Sequence, residues 1–367
     1  MYSDTDLERA VAAGAISAEA AGALRRYLAE KSATPVVDEE QFRLLSGFND
    51  IFVAIASVLL LVALAWIGQD IGPRLGGEGP SLSSGVLVAA ASWALAEFFT
   101  RKRRLALPSI LLLLAFTGGV FATVAIGIGL TLDKTTLNNE ADPRTVAMIA
   151  AAAAAVAAGA TWLHWRRFRV PITVAAGAAA GVGLIIALIA TALGDSPALR
   201  DAMLASAFLL GLAVFGVAMR WDASDRERTT RRADVAFWLH LLAAPLIVHP
   251  VFQALGVLDN NVSMASAVIV VLLYVLLAGV ALIIDRRALM VSALAYVLYA
   301  LSALFRELGA VGLNVALTAL VIGSALLLLS AYWHTVRAVI VERLPEGLRA
   351  KLPPTHEVAV AAEARTA

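Results

Sequence analysis

Short charged clusters divide the chain into apolar runs of about 20 residues, again and again between residues 50 and 332. As helix, such a run spans about 30 Å, the thickness of a bilayer's hydrocarbon core. Lipid offers the backbone no hydrogen-bond partners, so each run must satisfy its own amides, and the helix does this within one segment. Only 16% of the 367 residues are charged and 60% are hydrophobic, against about 25% charged in soluble domains. These figures exclude an ordinary soluble enzyme, a disordered chain and a coiled coil. The pattern predicts an all-α, polytopic integral membrane helix bundle of about ten transmembrane helices. They fall at roughly 50–68, 84–100, 106–131, 145–165, 171–193, 201–219, 235–257, 264–284, 288–305 and 310–332.

Charge sorts by side. Of the 29 Lys and Arg residues, 24 fall in alternate segments between the spans and only 5 in the others. Basic residues are retained on the cytoplasmic side, so both termini are expected there. The net charge of +1 predicts no nucleic-acid partner. The expected partners are the lipid bilayer itself and anionic headgroups facing the basic clusters. There is no cysteine, which removes disulfides and thiolate chemistry together.

Three regions follow: a cytoplasmic N-terminal helical segment (1–47), the transmembrane bundle (48–334) and a cytoplasmic tail (335–367). The first lacks an apolar stretch behind a basic start, so insertion is expected to begin at the first span. Residues 1–34 read as two short helices, the first stopped at Gly14 and the second capped by Ser17, with room for a protein partner. In the tail, Val336, Ile340, Leu344, Leu348 and Leu352 recur every four residues beside Arg337, Arg343, Arg349 and Lys351. That spacing predicts an interfacial helix broken near Pro345, then a disordered end.

The cytoplasmic clusters hint at repetition. Taking Arg103, Arg167, Arg231 and Arg286 as markers, the spacings are 64, 64 and 55 residues. Any series of membrane hairpins gives about this period, so duplication and plain geometry both account for it. Small residues (Gly118 and Gly119, the alanine run 150–155, Gly177, Gly181 and Gly183) predict close packing among the third to fifth helices.

Polar groups inside a bilayer are costly, so each is a candidate for function. The span 235–257 is richest, with His240, Pro245, His249, Pro250 and Gln253. Each proline removes an amide donor and frees a carbonyl. His249 and Gln253 lie one turn apart on one face, and with those carbonyls could line a substrate pathway. The plainer reading is a histidine bonded to a neighbouring helix and prolines that only shape the bundle. Glu97 is the one carboxylate well inside a predicted span, one turn before Arg101. An i,i+4 ion pair explains it without function. His164 between Trp162 and Trp165 reads as part of an interfacial aromatic belt. Arg306, Glu307 and Asn314 read as interfacial anchors or the rim of an outer vestibule.

His240 and His249, nine residues apart, point to opposite faces of a regular helix, so no metal site is expected. Catalytic templates such as HExxH, GxSxG and the phosphate-binding P-loop are missing. The expectation is therefore a protein that is not an enzyme and carries no cofactor.

The order of parts resembles families of bacterial multi-pass inner-membrane proteins known only as domains of unknown function. Three stretches carry the resemblance: Leu7 to Glu19, Asp285-Arg286-Arg287, and Leu326 through Trp333 to the Leu-Pro pairs at 344–345 and 352–353. It implies a bacterial inner-membrane location and transfers no activity. The activity expected is that of a small-solute transporter or permease with helix 235–257 near the pathway. Ten spans with both ends inside also look like the drug/metabolite transporter layout, although those transporters repeat in inverted orientation and the repeat here does not. The alternative is a non-transporting scaffold or envelope sensor acting through its cytoplasmic ends.

Overall fold

The structure is a computed structural model. It describes residues 10–24, 48–132, 142–256 except 227 and 229, 264–287, scattered residues between 289 and 305, and 313–355 except 354. The chain divides into two units, 1–44 and 45–367. In the first, Gly14 takes φ +70° and its amide bonds back to the Val11 carbonyl. The Ala20 amide donates to the Ser17 hydroxyl over 3.0 Å. The expected stop and cap are both present.

The second unit is all-helical, with no strand among the described residues. Its elements are α1 (Phe48–Ile71), α2 (Leu82–Ala96), α3 (Ala106–Thr131), α4 (Pro143–Phe168), α5 (Ile172–Leu193), α6 (Leu199–Ala223), α7 (Arg231–Ala254) and α8 (Met264–Ile284). Then come α9 (Asn314–Ala331), α10 (Trp333–Glu342) and the single turn α11 (Glu346–Arg349). A π-helical turn, Glu97–Lys102, extends α2.

Seven of these helices, α1 to α7, are long and apolar enough to cross a membrane. An eighth is added if α9 and α10, bent by 70° at their junction, count as one broken span. The apolar part of α8, Val268–Ile284, is shorter. The described residues thus carry seven or eight such helices against the ten expected. Most of the predicted span 288–305 lies outside the described residues, as do Arg306, Glu307 and the tail from 356. The helices outrun several predicted ends by two to four residues, because polar residues such as Asp222 and Arg231 continue the helix beyond its apolar stretch.

Close approach is concentrated where glycine permits it. A Cβ added at Gly119 on α3 would lie 2.8 Å from the Ala89 backbone nitrogen on α2, and one at Gly85 would lie 2.9 Å from the Thr123 nitrogen. By contrast Gly118, Gly181 and Gly183 face open space within 4 Å. Small residues therefore seat α2 against α3, and only part of the expected glycine set is used.

Four junctions on the basic side share one backbone feature. Arg104, Arg169, Arg228 and Asp285 all adopt left-handed φ of 54–57°. Such angles are uncommon outside glycine. Arg104, Arg169 and Arg228 each join a helix ending on that side to the next one beginning there, and Asp285 follows the end of α8, so the faint sequence period has a repeated local geometry beneath it. At the other side, Gln69 organises the glycine-rich turn, donating to the Gly79 carbonyl (2.8 Å) and accepting from the Ser81 amide (2.9 Å).

Candidate functional site

Helix α7 is continuous through both prolines, and its inner face is closed. Ala243, Ala244, Val248 and Phe252 are all 3% exposed or less. The candidates at its two ends therefore belong to different surroundings. His240 lies toward the basic end and is fully buried. Gln253 and Pro250 lie at the opposite end and line a pocket of about 420 Å³ with Arg200, Asp201 and Phe208 of α6. His249 and Pro245 are exposed and do not line that pocket. The structure separates the proposed pathway set rather than gathering it.

His240 has a partner that the sequence reading placed in a loop. Its Nε2 lies 2.8 Å from Asp222 Oδ2 on the last turn of α6. A carboxylate can only accept, so the imidazole proton sits on Nε2. Nδ1 is then an acceptor, and it has no partner among the described residues. Arg286, just past α8, grips the same carboxylate through Nη2 and Nε and also donates to the Ala233 carbonyl in the first turn of α7. One carboxylate thus binds α6, α7 and the end of α8.

A second carboxylate repeats the arrangement beside it. Asp285 accepts from Arg228 Nη1 (3.0 Å) and from the Trp333 indole (2.7 Å), with Arg337 Nε at 3.7 Å. Arg228 also donates to the Ile284 and Asp285 carbonyls. Burial pulls the Asp285 carboxyl up, but the charges of Arg228 and Arg337 and the Trp333 hydrogen bond outweigh it and hold the group below its ordinary value. Asp225 closes the turn between α6 and α7, accepting from the Thr230 amide and hydroxyl and from the Ala233 amide. The C-terminal stretch is tied to the same place. Arg226 donates to the Leu352 carbonyl (2.9 Å), and Arg337 to that of Pro353 (2.7 Å).

The tail helix thus differs from its expectation. Arg337 is 3% exposed and turned inward, while Val336 and Leu348 are exposed. The expected face was drawn on the four-residue apolar repeat, whereas the buried face is Trp333, Arg337 and Val341. Arg286 and Arg228 are likewise buried and engaged inside the protein.

Glu97 pairs with Arg101 as expected (3.2 Å), and also takes a two-pronged contact from Arg167 on α4 at 2.7 and 3.0 Å. That pair is half-exposed and carries no buried charge. His164 is corrected outright. It is 1% exposed, packed among Trp93, Phe116 and Phe168, and faces the Thr173 hydroxyl at 3.3 Å. Of its neighbours in sequence, Trp162 is exposed, whereas Trp165 is partly buried and packs against the α5–α7 core.

Sequence reading missed Asp222, Asp285, Arg286 and Arg228 as a unit. One signal was present: an aspartate closely follows the apolar runs of α6 and of α8, with arginines nearby. No group of three or more His, Asp and Glu residues suited to a metal occurs among the described residues. Comparison with known protein families finds no match, and no curated protein or solved structure matches the chain.

Proposed function

We propose that the chain is a multi-pass carrier for a small solute in a bacterial inner membrane, with both termini cytoplasmic and α7 beside the pathway. The observation that carries this reading is the buried Asp222–His240–Arg286 cluster among apolar helices. Ionisable groups buried away from water are expensive to keep even at the helix ends, past the apolar stretches, and therefore point to function. The pocket at Gln253 is the outer end of the same helix, and the cluster closes its inner end. Protonation of Asp222 would leave Arg286 buried without its counter-charge, a costly state that favours separation of α8 from α6. The layout likeness to bacterial inner-membrane families belongs to the same proposal.

A scaffold or sensor is the second reading. It is favoured by the closed wall of Ala243, Ala244, Val248 and Phe252 and by the tying of the C-terminal stretch into the cluster.

The natural absence of cysteine makes the test direct. Val248→Cys and Ala244→Cys should react slowly with a membrane-impermeant maleimide, from the outside and the inside in turn. No reaction from either side between pH 5 and 8 would support the scaffold instead. Reporter fusions after Asp225 and after Asp259 test orientation, with the first expected inside and the second outside.

A further inference from the structure

Between α8, α9 and the α9–α10 bend lies a slot of about 170 Å³ lined by Tyr274, Leu294, Leu326, Leu329 and Trp333, with Arg287 also on its wall. Nearly all of its lining is apolar, so water would find few partners there. One polar atom is stranded: the Tyr274 hydroxyl is buried without a hydrogen-bond partner among the described residues, on a side chain 9% exposed. A buried hydroxyl normally finds a partner, so its isolation points to a missing acceptor. Positive charge is fixed beside the slot, because the Arg287 guanidinium lies 4.9 Å from the Trp333 ring centre.

We infer that this slot binds one acyl chain of an anionic phospholipid drawn from the surrounding bilayer. The headgroup phosphate meets Arg287, the chain lies along Leu294, Leu326 and Leu329, and an ester carbonyl accepts a hydrogen bond from the Tyr274 hydroxyl. Basic positions between membrane helices favour anionic headgroups in just this way. An apolar chain matches the lining, and the slot is open along one side rather than enclosed, which gives a chain a way in. The inference rests on the membrane-embedded part of the proposed function and is independent of transport. Because Trp333 starts the bent helix α10 and donates to Asp285, an occupied slot would brace the bend against the ionic cluster.

The test uses the full chain in nanodiscs containing a phospholipid with a diazirine on its acyl chain, as phosphatidylglycerol or as phosphatidylcholine, with adducts mapped by mass spectrometry. The phosphatidylglycerol probe should mark Leu326–Leu329 and the Leu294 segment well above the phosphatidylcholine probe. Arg287→Gln should lower that excess about fivefold. Leu329→Trp should abolish it by filling the slot, while leaving adducts on exposed α1 positions such as Phe52 and Leu59. Equal marking by the two headgroups, or marking unchanged by both variants, overturns the inference. A free diazirine fatty acid that outcompetes the phospholipid overturns the assignment to a phospholipid. Adducts on no helix at all would instead contradict the membrane-embedded reading.

Discussion

Asp222 and Arg286 stand 64 residues apart in sequence and meet in an ion pair whose side chains are 5% and 3% exposed. The pair fastens the end of α6 to the end of α8, with His240 of α7 completing the contact. Removing one partner leaves the other charge buried alone, which costs about 3–5 kcal/mol. Asp222→Asn and Arg286→Met should each lower the thermal denaturation midpoint strongly in detergent. The double variant should be far less damaged than the sum of the two, as a double-mutant cycle would show. Additive losses would mean that the two residues act separately.

Asp285 gives the fold a pH dependence of defined sign. Its folded carboxyl titrates below the ordinary range because Arg228, Arg337 and Trp333 favour the anion over the cost of burial. The stabilisation is complete above the ordinary carboxylate range and disappears as pH falls through the depressed folded value. Thermal midpoints measured from pH 7 down to pH 3 should therefore fall at the acid end. Asp285→Asn should start lower at pH 7 and show a shallower acid decline.

The α2–α3 contact is set by glycine. Gly119→Ala forces a methyl to within 2.8 Å of the Ala89 backbone nitrogen, and overpacking of this kind costs about 1–3 kcal/mol. Gly118→Ala, with nothing within 4 Å, should be near neutral. Comparing the two thermal midpoints isolates packing from any general effect of removing glycine.

His164 is a structural histidine that hydrophobic groups can replace. Its Nε2 has no partner among the described residues, and Nδ1 meets only Thr173. Losing both members of a buried polar pair is cheaper than losing one. His164→Phe with Thr173→Val should therefore match or exceed the native midpoint, while His164→Phe alone should fall below it.

How much of this was visible in the sequence follows from the range of each interaction. Seven or eight of the ten expected spans were legible, because apolar run length and bilayer thickness are local quantities. The Gly14 stop and the Ser17 cap were legible for the same reason. Asp222 was not, since it lies past the apolar stretch of α6 and its partners come from α7 and from beyond α8. Arg337 was misread because the four-residue repeat from Val336 predicts a face, and tertiary contact with Asp285 and Pro353 selected the neighbouring one. His240 was singled out as a polar group within a predicted span, but was grouped with His249 by sequence proximity. Burial at one end of α7 and exposure at the other separate them.

If α7 lies along a pathway as proposed, its two ends are coupled and the protein occupies two arrangements. Spin labels on cysteines replacing Ala198 and Ala254, either side of the outer pocket, report this by pulsed electron paramagnetic resonance in nanodiscs. Two distance populations are expected, with Asp222→Asn shifting their ratio because it weakens the inner closure. A single narrow distance, unchanged by that variant and by pH, would contradict transport and favour the scaffold reading.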